Sequence, residues 1–405
     1  MQRYDTYKDS GVKWLGEIPN HWEVLALKHI LTSKKVLVGK HSSQYELLSL
    51  TLKGVVKRDM DNPEGKFPAS FDTYQAVEPN DFIFCNFDNE ETPRAVGLSP
   101  YKGMITGAYD VLSRKNPKLI DGFLIYYFLY IDDAKRFKPL YKGLRKTVPF
   151  DSFMSYKIPV PSLKEQDAIV SYLDTTTAKI DAAIAQQQKM IDLLNERKQI
   201  IINRAVTKGL NPNAQMKDSG VEWIGEVPEG WEVRKLKHIA KLQSGETISS
   251  DSFTETGYPV FGGNGFRGYT NRFTNDGDYV LIGRQGALCG NVNYAHGQFF
   301  ASEHAVVVYP YNKENLVWLG EVIRASNLNQ YSQSAAQPGL AVSMIQNISY
   351  PYPPEKEREI IASFLKNHIS QIDMAIANCQ NQISLLQERK QIIINEVVTG
   401  KIKVV

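Results

Sequence analysis

Two stretches of the chain carry apolar residues at steps of mostly three, four and seven. In the first they are Ile169, Leu173, Ile180, Ile184, Ile191, Leu194 and Ile201; in the second, Ile361, Leu365, Ile372, Ile376, Ile383, Leu386 and Ile393. Such spacing draws one apolar seam along an α-helix, as in a coiled coil. Ser162-Leu163-Lys164-Glu165 has the S-x-x-E form of a capping box and follows Pro159 and Pro161, so the first helix is expected to open there. No Pro or Gly interrupts it until Gly209, and Pro212 prevents its resumption. Each helix is expected to run about 45 residues, or about 68 Å at ~1.5 Å per residue. A helix that long cannot be buried inside one small domain, and two with matching seams in one chain would pair with each other. Seven basic and six acidic residues lie between Leu163 and Lys208. That near balance suits a spacer or docking element rather than a phosphate-binding stripe.

The remaining segments read as mixed α/β. Strand-like runs occur at Tyr45–Leu50, Asp81–Phe87, Tyr279–Ile282 and Ala305–Tyr309, and helix-like runs at Phe123–Phe137 and Leu316–Ser326. The chain also repeats itself. KDSGVKWLGEIPNHWEVLALKHI (8–30) and KDSGVEWIGEVPEGWEVRKLKHI (217–239) agree at 16 of 23 positions, and ERKQIIINRAVT (196–207) and ERKQIIINEVVT (388–399) at 10 of 12. Between these matched frames the inserts look unrelated. The expected fold is α+β, with two tandem mixed α/β domains, each followed by a long helix. The two helices would pair with each other along their matching seams. The expected boundaries are 1–161 and 217–353 for the domains, 162–208 and 354–405 for the helices with a C-terminal tail, and 209–216 for the linker.

Composition narrows the class. Of 405 residues 42% are hydrophobic and 22% charged, and 47 Lys+Arg against 44 Asp+Glu leave a net charge of +3. This is ordinary globular composition, so any basic surface must be local. Cys85, Cys289 and Cys379 are far apart and form neither a disulfide framework nor a zinc pattern. The first residues lack the apolar core of a signal peptide and no run reaches membrane-spanning length, so a cytoplasmic location is expected.

Catalytic patterns are missing. There is no phosphate-binding G-x-x-x-x-G-K-[ST], and no Asn-Pro-Pro-aromatic motif of amino methylation. His296 and His304 lack the spacing of metal ligands on a helix face, and Asp61 with Glu64-Gly65-Lys66 reads as a solvated turn rather than a nuclease centre. The glycine run at 261–266 does not open a helix and reads as a turn that brings backbone close to a partner. More informative is KRFKPLYKGLRK (135–146), six basic residues in twelve with no acid. Arg136, Lys142, Arg145 and Lys146 there are candidates for phosphate or base contact; the alternative is a soluble helix end and loop. The second copy's counterpart, 327–340, is polar and acid-free. Asn264, Arg267, Tyr269, Arg272, Arg284 and Gln285 form a further candidate set. Trp14, Trp22, Trp223 and Trp231, at matched repeat positions, read as packing for the frame where it meets the helices, and His29 and His238 as structural.

Taken together, Gly-Glu-Ile-Pro-x-x-Trp (16–22) with Gly-Glu-Val-Pro-x-x-Trp (225–231), Pro-x-x-Lys-Glu-Gln (161–166) with Pro-Pro-Glu-Lys-Glu-Arg (353–358), and the closing Glu-Arg-Lys-Gln-Ile-Ile-Ile-Asn resemble the specificity subunit of type I restriction–modification systems. Arg358 departs from the usual Gln. The resemblance implies two target recognition domains, each reading half of a split double-stranded DNA sequence, and a pairing of the two long helices as an antiparallel coiled coil, with pseudo-twofold symmetry, that sets their separation. It also implies two methyltransferase subunits and motor–nuclease subunits as partners. S-adenosylmethionine, ATP and magnesium would belong to those partners, with no cofactor and no catalytic residue in this chain. A self-contained methyltransferase or nuclease, and a coiled-coil scaffold that never touches DNA, are the alternatives.

Overall fold

The computed structural model describes residues 2–59, 68, 70–286, 289–312, 314–332 and 339–404. The turn at 61–66 and positions 333–338 of the polar loop lie outside the described residues. The chain folds as two compact units, Met1–Gln186 with Gln382–Val405, and Gln187–Asn381. Each unit therefore combines one domain, the opening half of its own long helix, and the closing part of the other copy's helix.

The two frames fold alike. In the first unit Tyr7–Asp9 pairs antiparallel with Glu17–Pro19, and Glu23–Ala26 with Lys157–Val160. In the second, Met216–Asp218 pairs with Glu226–Pro228, and Glu232–Lys235 with Ser349–Tyr352. Leu-Lys-His forms a short 3-10 turn in both, with the Leu buried and His29 and His238 exposed.

The inserts share more than their sequences suggest. The first contains an antiparallel sheet in the order Leu31–Ser33, Asp110–Arg114, Phe82–Phe84, Val96–Leu98. The second contains the same arrangement from Ala240–Ser244, Ala305–Pro310, Tyr279–Gly283 and Val292–Ala295. One helix packs against each sheet, Asp121–Asp133 in the first unit and Leu316–Ala325 in the second. The expected strand at Asp81–Phe87 is shorter, Phe82–Phe84, and buried Asp81 at its start accepts on its carboxylate from Glu78 N at 2.8 Å and Lys34 Nζ at 2.9 Å. The Tyr45–Leu50 run becomes a strand only from Leu48.

What differs lies beside this sheet. The first unit adds a hairpin, Leu48–Thr51 with Gly54–Lys57, and the pair Gln75–Val77 with Gly103–Ile105. The second adds a four-stranded sheet in the order Gly265–Thr270, Tyr258–Gly262, Gln298–Ala301, Asn275–Asp276.

The long helices span Leu163–Lys208 and Glu355–Val398. The capping box forms, with Ser162 Oγ donating to Glu165 Oε2 at 2.8 Å and Glu165 N to Ser162 Oγ at 3.4 Å. Within each unit the two helices run antiparallel and are joined by the same ion pair, Asp181–Lys390 in the first and Asp373–Lys198 in the second, both at 2.7 Å. Ile169, Leu173, Ile361 and Leu365 are fully buried, and Ile180, Ile191 and Ile372 nearly so. Ile184, Leu194, Ile376, Ile383 and Leu386 are half-buried, because there two helices have only each other for cover. Toward the closing ends the contact rotates off the sequence seam. Ile202, Ala205 and Val206 are buried where Ile201 is half-buried, as a 3.6-residue helix drifts against a 3.5-residue repeat.

The repeated tryptophans lock frame to helix. Buried Trp22 donates to Glu165 Oε1 at 3.2 Å, and Trp231 to Glu357 Oε2 at 2.9 Å. Each also receives the end of the other copy's helix. Gly209 (φ 71°) ends the first helix against Trp231, and Gly400 (φ 73°) ends the second against Trp22 and Pro19. A Cβ on Gly209 would stand 3.0 Å from the Trp231 ring, and one on Gly400 2.9 Å from the Trp22 ring, so both the left-handed turn and the contact require glycine.

Candidate nucleic-acid interface

In the first unit the basic stretch follows the helix Asp121–Asp133. It makes a 3-10 turn at Lys138–Leu140 and then a tight loop closed by Lys142 N to Thr147 O at 2.9 Å and Thr147 N to Lys142 O at 3.0 Å. Leu144 at the loop tip is wholly exposed, as are Lys142 and Arg145 in large part. Four of the six cations meet carboxylates. Arg145 pairs with Asp88 at 2.5 Å, Lys138 with Glu90 at 3.2 Å, Lys146 also with Glu90, and Lys135 with Asp132 at 2.8 Å. Arg145 Nη2 and Nε hold the Asp88 carboxyl below the usual range, and Lys146 and then Lys138 do the same for Glu90. These acids stay ionised and hold the cations in place, so the exposed loop is preorganised but partly neutralised. Asp88 and Glu90 lie about fifty residues upstream and are invisible in the basic stretch itself.

Arg136 is set apart from that loop. Its guanidinium stacks on Tyr130 at 4.2 Å, its buried Nε has no partner among the described residues, and it lines a cleft with Asp133, Glu388 and Asn395. Lys142 is exposed and has no ion-pair partner among the described residues.

In the second unit the glycine run is a β-hairpin. Tyr258–Gly262 and Gly265–Thr270 pair antiparallel around a Gly263-Asn264 loop. Asn264, Arg267 and Tyr269 are exposed on it. Asn291 Nδ2 donates to Asn264 Oδ1 at 2.9 Å, and the Arg267 guanidinium lies 5.7 Å from the Phe253 ring. Arg272, just beyond, pairs with Glu246 at 2.9 Å and stacks on Phe300 at 4.7 Å. Arg284 and Gln285 follow the central strand Tyr279–Gly283. The hairpin tip meets them, since a Cβ on Gly263 would lie 3.3 Å from Gln285 O. Arg284 is half-buried, donates to Ser244 Oγ at 2.9 Å, and its Nε has no partner among the described residues. The sequence set is thus drawn into one region of the unit, with Arg284 beneath it rather than on its surface. Phe266 and Phe273, 55% and 43% exposed, were missed among the glycines and arginines. The alternation around a two-residue Gly-Asn loop was the available signal.

Among the described residues no group of three or more His, Cys, Asp or Glu is gathered as for a metal ion, and no helix is long and apolar enough to cross a membrane.

These features meet a known pattern: residues 96–191 and 228–384, more than half of the chain, match the family described as the type I restriction modification DNA specificity domain. The chain belongs to that family. The type I restriction enzyme EcoprrI specificity subunit of Escherichia coli is 41% identical over 167 residues, which are 38% of this chain and 41% of that relative. The chain thus covers less than half of that protein's length. The putative type I restriction enzyme MjaX specificity subunit of Methanocaldococcus jannaschii is 27% identical, over 98% of both chains. A chain from a solved structure described as the basis of complex assembly and conformational transition of the type I R-M system superposes with a TM-score of 0.70. It is 15% identical, with 95% of this chain and 99% of that one covered, so the likeness concerns the fold. The two match segments of the specificity family fall on the later part of the first insert, on the second insert and on parts of both long helices.

Proposed function

We propose that this chain is a non-catalytic specificity subunit that reads a split double-stranded DNA target, one half with each unit, and docks two methyltransferase subunits. The observation that carries this reading is the contrast between the copies. Both units keep the same frame and the same four-stranded sheet, while the strands beside that sheet differ completely. One scaffold used twice with two surfaces suits two different half-sites. Exposed Arg145 and Lys142 with half-buried Lys146 in the first unit, and exposed Asn264, Arg267 and Tyr269 in the second, are the groups offered to DNA.

The docking half of the proposal rests on the repeated helix motif. Glu196, Arg197, Gln199 and Ile200 are exposed, and so are their counterparts Glu388, Arg389, Gln391 and Ile392. All four are identical between copies, although at the buried side Ala205 is replaced by Val397. Packing does not require that outward identity; binding the same partner twice does. S-adenosylmethionine, ATP and magnesium are assigned to the methyltransferase and motor–nuclease partners, and a cytoplasmic location goes with DNA as the target.

The test is native mass spectrometry of the chain copurified with its modification subunit. Two partner copies are expected per chain, one after Ile200→Asp or Ile392→Asp alone, and none in the double variant. Unchanged stoichiometry in the double variant would refute the docking assignment.

A further inference from the structure

We propose that the Tyr258–Thr270 hairpin is a ribbon that enters the DNA major groove, with Phe266 and Tyr269 packing on a thymine methyl group of the second unit's half-site. This rests on the DNA-reading function proposed above and adds how one unit reads its bases.

Gly265–Thr270 is the outermost strand of its sheet. Phe266 and Tyr269 stand on it 55% and 38% exposed, their rings edge-to-face with centroids 5.0 Å apart. An exposed aromatic pair on an edge strand invites association unless a partner covers it. The hairpin is rigidly held from behind: Val260 and Phe261 pair in parallel with Phe300 and Ala301, and Val260 and Thr270 are buried. Thr254 N donates to Tyr269 O at 2.9 Å and closes the outer edge at that end, so among the described residues the open part is the tip with the Phe266 end of the strand.

Charge selects the occupant. Residues 258–275 contain no Asp or Glu, while Arg267 is exposed among them. The hairpin carries no acid of its own, although exposed Asp251 and Glu255 flank Thr254 where it pairs with Tyr269; an acid-free hairpin suits a polyanion better than a second protein surface. Shape agrees, since two strands about 4.8 Å apart with their side chains fit a groove about 12 Å wide and about 8.5 Å deep. On the major-groove edges of the bases the apolar group is the thymine 5-methyl, which is where exposed rings gain on binding. Arg267, next to Phe266, is placed for phosphate.

The test uses the assembled modification complex and duplexes in which each thymine of the target, on either strand, is replaced singly by deoxyuridine. At one position of one half-site, loss of the methyl should weaken wild-type binding about fourfold, the worth of roughly one buried methyl-sized group. Phe266→Ala should bind the normal duplex less well and no longer distinguish thymine from deoxyuridine there, whereas Tyr269→Phe should keep the discrimination. A thermal melt matching wild type verifies that Phe266→Ala is folded. Deoxyuridine tolerated at every position, a second half-site without thymine, or Phe266→Ala that still discriminates would each overturn the proposal. So would Phe266→Ala losing partner subunits while retaining DNA discrimination, since a protein would then be the occupant. A complex that binds no specific DNA sinks the function proposed above as well; one that binds its target but ignores the methyl sinks only the hairpin.

Discussion

Glu165→Gln should loosen the first unit measurably, and more at neutral pH than in acid. The carboxylate of Glu165 collects four donors: His21 Nε2 at 2.8 Å and Trp22 Nε1 at 3.2 Å on one oxygen, Ser162 Oγ at 2.8 Å and Ser162 N at 3.2 Å on the other. Burial pushes its pKa up, but the hydrogen bonds from His21, Ser162 and Trp22 outweigh that and hold it below its ordinary value of 4.5. Glutamine keeps one acceptor oxygen and turns an NH₂ toward donors. At about 1.5–3 kcal/mol for a hydrogen bond to a charged group, a loss of about 2 kcal/mol is expected. For a unit of this size that is roughly 4–8 °C in melting temperature. A depressed folded pKa contributes stability that is present above the ordinary value and lost as pH falls through the folded one. The gap between wild type and Glu165→Gln should therefore be full at pH 7 and narrow below about pH 4.5. Glu357 receives Trp231 but has no capping serine, so Glu357→Gln should cost only about 1 kcal/mol. Thermal melts at pH 7 and pH 4 read all three proteins. Equal losses at the two positions, or a Glu165→Gln gap indifferent to pH, would refute the reasoning.

Arg145→Ala should weaken DNA binding by about 1–3 kcal/mol if Arg145 reads a base, relaxing one position of one half-site; if it holds phosphate, all sequences should weaken alike and the salt slope fall by about one. Asp88→Asn, which releases Arg145, should strengthen non-specific binding, and filter binding at two salt concentrations measures both. Arg358 stands where Gln166 stands in the first copy: Gln166 Nε2 donates to Pro161 O at 2.8 Å, and Arg358 Nη1 to Pro353 O at 2.6 Å. Buried Arg358 adds an ion contact at 2.8 Å with the buried side chain of Glu314, so Glu314→Ala should cost the second unit about 3–5 kcal/mol in a denaturation experiment. Four residues inserted near Gln187, about one helical turn or 6 Å, should lengthen the tolerated gap between half-sites by one or two base pairs at ~3.4 Å each, as read by binding to a spacer series.

The long helices were legible because their signals are local: a seam, a capping box, a terminating glycine. The frame was legible because it is written twice. The common sheet beneath the inserts was not, since strands such as Phe82–Phe84 and Tyr279–Gly283 share a place in a topology without sharing residues, and topology is set by distant pairing. The docking of each helix end on the other copy's tryptophan was hidden for a similar reason. Gly400 and Trp22 are far apart in sequence, and a glycine after a helix reads equally well as a free end. In the candidate interface, composition found Arg145 and Lys146 but not the acids that orient them, and it grouped Arg136 with them although that side chain turns back onto Tyr130. Phe266 was passed over because an exposed aromatic residue looks like core until the strand that carries it is known to be an edge.

The central claim is that two units of one chain each read half of one target. Single-molecule sequencing of methylated bases tests it most directly, in cells carrying the modification subunit with either the wild-type chain or a chain whose 245–304 segment is exchanged for that of a relative. The account predicts a target of two specific halves around an unspecified gap, with the exchange changing one half and leaving the other half and the gap intact. A continuous target, or an exchange that alters both halves together, would contradict it.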